Sequence, residues 1–282
     1  MDFKKYENPE EFVEENEKLI LEKEWLNNLM VGNYKDAVKL GIDKNWLLAR
    51  ITNNGKTELI ILLRRPWKLL LYSPTDNESD ELYKFAAEEV YKVDKDIPGV
   101  NAENTIGKKF ADFYCKVANK KYKLHLSMRI LVLEKIANPM LRDDVVFRKA
   151  DLKDKEILKE FTKEFHKEAL HEEKSNEELE ENFYKNLEKG YYILEKDGKI
   201  VSQTVSTRKL EKGKSVSGVF TPKEKRGKGY AYNLVYRVSK EFLDNGAEYC
   251  VLFTDDTNPI SNHVYEKIGY ERKIDCSEIS FE

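Results

Sequence analysis

Cysteine is scarce in this chain of 282 residues, which contains only Cys115, Cys250 and Cys276. Three widely spaced cysteines cannot all pair within one chain, and no Cys-x-x-Cys motif provides a redox or metal site. We therefore expect reduced thiols and a cytoplasmic location, and we expect no disulfide framework.

Long hydrophobic runs are also missing. No stretch approaches the roughly 18 apolar residues that a membrane-spanning helix needs. The first residues, Met1 to Lys5, lead into an acidic segment and not into an apolar signal sequence. These features predict a soluble protein without a membrane partner.

The chain lacks an excess of either charge, because 49 Lys and Arg residues nearly balance 52 Asp and Glu residues. Without an overall positive field, we expect no nucleic-acid partner. Histidine is rare too, with four in the chain. His166 and His171 are five residues apart, whereas a helical metal pair needs a spacing of four, so we expect no metal site.

The most informative stretch covers residues 217–231. A β-like run is followed by a basic loop, and from Gly229 onward the apolar residues recur at helical spacing. Backbone N–H groups and the helix dipole at such a helix start suit an anion such as a pyrophosphate. Gly227 and Gly229 would let the backbone approach that ligand closely. Taken alone, such a short pattern is more often a solvated basic turn.

A second motif follows the apolar run at residues 249–253. Asn258 precedes a proline, and the short helix that starts there is expected to end at Gly269. Tyr265 lies seven residues after Asn258, and Gly269-Tyr270 follows four residues later.

Together the two stretches resemble the GNAT acetyltransferase superfamily. The family's acyl-CoA motif, Gln/Arg-x-x-Gly-x-Gly/Ala, is matched by Arg226-x-x-Gly229-x-Ala231, and the second stretch matches the family's Asn, Tyr and Gly-Phe/Tyr spacing. Each match alone is weak, but their order and separation make the joint resemblance specific.

Hydrophobic periodicity predicts an α/β protein with mixed sheets and two successive domains. The C-terminal domain, residues 140–282, has the predicted order βααβββαβαβ, which is that of a GNAT domain. Within it we predict one helix over residues 152–171 and one strand over residues 214–221. The N-terminal domain, residues 1–139, shows the same order without its first strand, and Pro98-Gly99-Val100 is predicted to be a turn.

We therefore interpret the N-terminal domain as a degenerate GNAT-like half. It contains no Arg-x-x-Gly-x-Gly/Ala motif, so we expect no coenzyme there. The two-part layout also resembles acyltransferases related to glycine N-acyltransferase, in which the C-terminal half carries the chemistry.

The family resemblance implies that acetyl-CoA is the co-substrate, held in a gap beside the strand that precedes the basic loop. It implies a set of ligands for the pantetheine arm and the pyrophosphate, namely Val219, Phe220, Thr221, Arg226, Gly227, Lys228, Gly229, Tyr230, Ala231 and Tyr232. Asn258 and Asn262 would also hydrogen-bond the coenzyme. For Asn258, helix capping is the alternative role.

The resemblance further implies direct attack of an amine on the thioester, with Tyr265 as the general acid toward the departing thiolate. A phenol with an ordinary pKa of about 10 suits a thiol with a pKa of about 8.5. The alternative is a packing role, since the chain has sixteen tyrosines. No nucleophilic cysteine is expected.

The general base is not identified by the sequence. Family members often carry a glutamate on the central strand, where this chain has Ser215 and Ser217. The other acidic candidates are best interpreted as surface carboxylates: Asp255, Asp256, Glu164 and Glu168. Deprotonation through ordered water is equally open.

These features predict an N-acyltransferase that moves acetyl from acetyl-CoA to a primary amine. An amino acid, a polyamine, an antibiotic and a protein terminus are all compatible acceptors, and the acidic stretches favour a cationic small molecule. One alternative is a non-catalytic acyl-CoA-binding or scaffold protein. A nucleotide-binding module is less compatible, because Lys228 is not followed by Ser or Thr.

Overall fold

The computed structural model describes residues 1–208 and 210–282. These residues form two compact units. Unit 1 consists of Met1–Arg129 together with Ile274–Glu282, and unit 2 consists of Ile130–Lys273. The domain boundary drawn after residue 139 stays a prediction, because the units are defined by compactness alone.

Unit 1 follows the order βααβββαβαβ along the chain. Its elements are β1 (Asp2–Tyr6), α1 (Pro9–Glu22), α2 (Asn28–Leu40), β2 (Trp46–Asn53), β3 (Lys56–Arg64), β4 (Leu69–Tyr72), α3 (Asp80–Val93), β5 (Gly99–Glu103), α4 (Asn104–Ala118) and the first part of β6 (Tyr122–Leu133). Strands β1 to β4 pair in antiparallel order, and β5 runs parallel to β4. The C-terminal strand β13 (Glu271–Phe281) pairs antiparallel with β5.

Two expectations for this half were wrong. A first strand is present, because Asp2–Tyr6 pairs with β2. Pro98-Gly99-Val100 is not simply a turn, since Gly99 begins β5. Glycine is needed there for close packing: a Cβ on Gly99 would lie 2.0 Å from the backbone oxygen of Ile279 on the neighbouring strand.

The core of unit 1 lies between its sheet and the helices α3 and α4. Apolar residues of α3 recur at helical spacing, and those on one face are buried. They pack with Leu59 and Ile61 of β3 and with Phe110 of α4 in one cluster.

Unit 2 contains a second series of elements in a similar order. They are β7 (Val146–Lys149), α5 (Lys155–Phe165), α6 (Asn176–Lys189), β8 (Tyr191–Lys196), β9 (Lys199–Val205), β10 (Gly213–Ser215), β11 (Ser217–Phe220), α7 (Tyr230–Asp244), β12 (Tyr249–Asp255) and α8 (Pro259–Ile268). Two short strands, β10 and β11, stand where unit 1 has β4 alone. One core cluster lies under α7 and α8, and another lies under α5 and α6.

The helix predicted over residues 152–171 is divided. A short 3-10 turn at Leu152–Asp154 precedes α5, and a π-helical turn at His166–Leu170 follows it. His171 then adopts a left-handed conformation with φ of 55° and ends the helical segment. Within the described residues, no helix combines the length and the apolar character that crossing a membrane requires.

The strand predicted over residues 214–221 is also divided, and its two parts belong to different sheets. β10 runs parallel to β12, with Ser215 opposite Val251. The last bond of this ladder joins the Val216 amide to the Val251 carbonyl at 2.9 Å. β11 instead pairs antiparallel with β9 as the edge strand of a four-stranded sheet. After Val216 the chain is therefore no longer paired with β12, and a gap lies between β11 and the end of β12. We call this gap the strand split.

Candidate active site

The loop of residues 221–229 leads from β11 into α7. It contains a short 3-10 turn at Lys223–Lys225 and two glycines, Gly227 and Gly229, with φ of 74° and 76°. These left-handed conformations favour glycine. A Cβ on Gly227 would have nothing within 4 Å, so the loop presents its backbone to open space.

The N-terminus of α7 has no side-chain cap. Its N-cap residue is Gly229, and its first turn carries no acidic side chain. Since the first N–H groups of a helix have no partner within it, those of α7 are available to an external acceptor. The positive end of the helix dipole adds to this preference for an anion. The geometry therefore fits the pyrophosphate role predicted for this loop.

Arg226 fastens the loop to its surroundings. Its Nε donates to the Thr221 carbonyl at 2.8 Å, and its Nη2 forms an ion pair with Glu168 at 2.6 Å. Lys223 reaches the same carboxylate at 3.4 Å. Although burial acts to raise the pKa of Glu168, the hydrogen bond from Arg226 keeps that pKa below its usual value. Glu168 is thus an ion-paired carboxylate, which makes it a poor general base.

Asn233 and Arg142 support the start of α7, and the sequence patterns did not point to either. The Asn233 side chain donates to the Gly229 carbonyl at 2.9 Å and accepts from the Arg142 amide at 2.7 Å. The Arg142 guanidinium donates to the Lys228 carbonyl at 3.3 Å and lies 5.4 Å from the Tyr230 ring centre. An asparagine among the apolar residues that recur along α7 was the one available signal.

Tyr265 is on α8 and is almost fully buried in the cluster beneath α7 and α8. Its ring meets that of Tyr270 edge-on, with 6.0 Å between centroids. Burial raises the pKa of Tyr265 to about 12. In the parts of the chain that the structure describes, its hydroxyl has no hydrogen-bond partner. The phenol is therefore neutral at physiological pH and can donate to a ligand.

The two asparagines of the second motif have partners in the protein. Asn258 caps α8 by accepting from the Ser261 amide at 3.2 Å. Asn262 donates to the carbonyls of Asp255 and Asp256 at 3.2 and 3.4 Å, which ties the end of β12 to α8. Its Oδ1 is buried without a partner among the described residues. A ligand N–H, such as an amide of pantetheine, would satisfy this acceptor.

Asp255, another acidic candidate, is also engaged, and so is Ser215, which occupies the position where family members often carry a glutamate. Asp255 Oδ1 accepts from the amide and the hydroxyl of Thr257 at 2.8 and 2.7 Å, which closes a turn. Ser215 Oγ accepts from the Arg208 amide at 3.2 Å. The structure thus singles out no general base.

Arg208 lies in the segment between β9 and β10, and no motif pointed to it. Its guanidinium lies 5.3 Å from the ring centre of Phe253 on β12. Nη1 is buried and has no hydrogen-bond partner in the described chain. Burial lowers the pKa of Arg208 to about 10.

Comparison with known proteins relates part of the chain to a family. Residues 155–270 match the Acetyltransferase (GNAT) family. A GCN5-related N-acetyltransferase from Sphaerobacter thermophilus has a similar structure, with a TM-score of 0.65, 14% identity and coverage of 99% of this chain and 95% of that chain. An acetyltransferase of the GNAT family from Colwellia psychrerythraea gives a TM-score of 0.62 at 12% identity, covering 100% and 99%.

A third similar structure is that of a tandem GNAT protein from the clavulanic acid biosynthesis pathway. Its TM-score is 0.61 at 12% identity, with coverage of 100% of this chain and 98% of that chain. None of the curated proteins matches the chain by sequence.

The fold and its neighbours define a tandem GNAT architecture, so the predicted α/β fold class is confirmed. Within it, residues 155–270 match the GNAT acetyltransferase family, as their sequence resemblance indicated. The relation to glycine N-acyltransferase and the roles of individual residues stay predictions.

Proposed function

We propose that unit 2 transfers the acetyl group of acetyl-CoA to the nitrogen of a primary amine. The observation that carries this proposal is the combination, within one unit, of an uncapped helix start and a strand split. The first suits a pyrophosphate, and the second offers room for an extended thioester arm.

The pantetheine arm is assigned to the free edge of β11. That edge faces away from β9 and pairs with no other strand of the described chain, so its backbone groups are available. An extended ligand can satisfy them as an added strand would. Val219, Phe220 and Thr221 line this edge, and the buried Oδ1 of Asn262 supplies an acceptor. The carbonyls of Phe220 and Thr221 already accept from Ser202 Oγ at 3.0 Å and Arg226 Nε at 2.8 Å, so these two oxygens are not among the available groups.

The reaction needs no covalent enzyme intermediate. The amine nitrogen uses its lone pair to form a bond to the thioester carbonyl carbon, and the carbon–sulfur bond then breaks. Sulfur leaves with the bonding electrons, while the surplus proton on nitrogen passes to water or to a base. The products are an N-acetyl amide and coenzyme A.

Tyr265 is assigned the stabilisation of the departing sulfur. Its pKa of about 12 lies well above the ordinary thiol pKa of about 8.5, so complete transfer of the phenolic proton is unfavourable. A hydrogen bond from the neutral phenol to the developing thiolate needs no such transfer. We therefore assign Tyr265 as a hydrogen-bond donor first and as a proton donor second.

Thiol release with a panel of amines, combined with calorimetric titration of acetyl-CoA, tests this function. The wild-type protein should bind acetyl-CoA and release thiol only when an amine is present, and ATP should not bind. Tyr265→Phe should lower kcat about 100-fold and change the Kd for acetyl-CoA less than about threefold.

Tyr270→Phe is the matched control, because Tyr270 is buried in the same cluster and its hydroxyl lies 2.9 Å from Ser239 Oγ. This variant should keep kcat within about threefold of the wild-type value. Equal losses in the two variants would assign Tyr265 to packing. Binding of acetyl-CoA without thiol release from any amine would contradict the enzymatic function.

A further inference from the structure

The guanidinium of Arg208 lacks a protein anion. An unpaired buried charge is costly, so buried arginines usually meet carboxylates. Arg148 in the same unit shows the usual arrangement, with Asp154 at 2.7 Å and Glu195 at 2.7 Å. Arg208 Nη1, in contrast, is buried without any acceptor, and no carboxylate of the described chain pairs with the side chain.

The guanidinium lies at the strand split. The Arg208 amide is bonded to Ser215 at the end of β10, and the side chain reaches Phe253 on β12. Val251 is the last residue of β12 that is paired with β10. Phe253 therefore belongs to the part of β12 from which β11 has already separated.

Arg208 is on the face of β12 that points away from α7 and α8. Cys250 and Leu252 of β12 belong to the core cluster beneath those helices, together with Tyr265. Because successive side chains of a strand alternate between faces, Phe253 points to the opposite side. A thioester that enters the split from the α7 side leaves this opposite side open to the acceptor.

We propose that Arg208 binds a carboxylate of the acceptor, so that the substrate of unit 2 is an amino acid or another amino carboxylate. This inference rests on the acetyltransferase function proposed above. The planar guanidinium matches a carboxylate with two parallel hydrogen bonds, and its carbon lies over the Phe253 ring at 5.3 Å from the centroid. Among the acceptors that the sequence left open, this inference favours the amino acid over the cationic small molecule.

The inference is tested by thiol release with the twenty standard amino acids, with ω-amino carboxylates, and with the carboxamide of every active acceptor. The carboxamide keeps the amine and the shape but loses the charge. For the wild-type protein, kcat/KM should be about 100-fold higher for the carboxylate than for its carboxamide.

Arg208→Met should lower kcat/KM for the carboxylate about 100-fold and leave the carboxamide within about threefold. Arg208→Lys, which keeps a point charge without the fork, should recover part of the loss for the carboxylate. Lys214→Met is the control, because it removes an exposed cation from β10 and should change neither substrate. Thermal unfolding and the Kd for acetyl-CoA verify that every variant is folded.

Turnover of carboxylate-free amines alone would overturn the inference, as would an equal loss of both substrates in Arg208→Met. A folded protein that acetylates amines but none of the amino carboxylates would overturn it as well. Failure of the proposed function would look different. In that case no thiol would be released with any amine, whether or not the amine carries a carboxylate.

Discussion

Helix α3 of unit 1 and helix α7 of unit 2 hold corresponding places in the element order, but their N-termini differ. Helix α3 of unit 1 starts after β4 with Ser79 as its cap, which accepts from the Leu82 amide at 3.3 Å. Its first turn also carries Asp80 and Glu81. Helix α7 of unit 2 starts after β11 with an uncapped glycine and no acidic residue. When side chains of the protein accept hydrogen bonds from the first N–H groups of a helix, the cap stabilises the fold. When these N–H groups have no such partner, they can bind a ligand.

The loops before these helices differ in the same sense. In unit 1, Glu58 is buried beneath residues 73–79 and accepts from Thr75 at 2.6 Å and from Asn77 at 2.9 Å. In unit 2, the loop of residues 221–229 holds Arg226 and three lysines. An anion would meet a carboxylate in the first loop and cations in the second. We therefore expect one molecule of acetyl-CoA per chain, bound to unit 2.

The largest effect should come from closing the open helix start. Gly229→Asp places a carboxylate at the N-terminus of α7 and a side chain at φ of 76°. The aspartate would cap the helix and repel phosphate, so the Kd for acetyl-CoA should rise at least about 100-fold by calorimetry.

The matched control for this change is Gly198→Asp. Gly198 has a similar φ of 71° in the β8–β9 turn, and a Cβ there would have nothing within 4 Å, whereas a Cβ on Gly229 would make only an ordinary contact of 3.8 Å with Asn233 Nδ2. It therefore carries the same backbone strain far from the loop and should leave acetyl-CoA binding unchanged. Unaltered binding in Gly229→Asp would show that the loop assignment is wrong.

The complementary change removes the Glu58 carboxylate that accepts hydrogen bonds from the loop of residues 73–79 in unit 1. Glu58→Gln should lower the free energy of unfolding by about 1–2 kcal/mol at pH 7, because hydrogen bonds to a charged acceptor are lost, and it should leave acetyl-CoA binding unchanged. Urea denaturation measures the first effect and calorimetry the second. Glu7→Gln, at an exposed ion pair with Lys5, should cost less than about 1 kcal/mol.

The effect of Glu58→Gln should depend on pH. Hydrogen bonding from Thr75, opposed by burial, lowers the pKa of Glu58 below its ordinary value of 4.5. A depressed pKa in the folded state means that the stabilisation is present above pH 4.5 and is lost as the pH falls through the folded-state pKa. The difference between the wild-type protein and Glu58→Gln should therefore shrink in acid. If the difference in unfolding free energy persisted in acid, it would have to come from the shape of the side chain and not from its charge.

The smallest effect concerns Glu168, whose carboxylate would compete with the ligand's phosphates for the cations of the loop of residues 221–229. Glu168→Gln removes the negative charge that Arg226 and Lys223 now contact, so the Kd for acetyl-CoA should fall about threefold. Glu164→Gln on α5 removes a carboxylate that does not contact the loop and should have no effect. Weaker binding in Glu168→Gln would instead show that the ion pair positions Arg226 for the ligand.

The sequence was most informative where function depends on local pattern. The loop with Gly227 and Gly229 and the helix from Asn258 to Gly269 are contiguous segments with fixed spacing, so periodicity and capping residues were sufficient to predict them. β1 was missed because it is short and of its residues only Tyr6 is buried, which leaves no alternating apolar pattern. β5 was missed because its partner strand is remote in sequence and its first residue is a glycine.

Arg208 could not have been found in this way. A single arginine in a connecting segment has no motif, and its importance comes from the burial of Nη1 and from the neighbouring Phe253, which tertiary structure alone provides. The strand split is similar. The apolar run was visible, but the exchange of partners at Val216 depends on which strands lie on either side.

The last strand of the chain has a consequence for how the protein is made. Residues 274–282 belong to unit 1, and Cys276 pairs with Glu103 on β5. During synthesis, β5 would emerge from the ribosome long before its partner strand, so the sheet of unit 1 is completed only after all of unit 2 has been translated. Completion of this sheet therefore waits for residues 274–282, and loss of that strand would leave one edge of β5 unpaired.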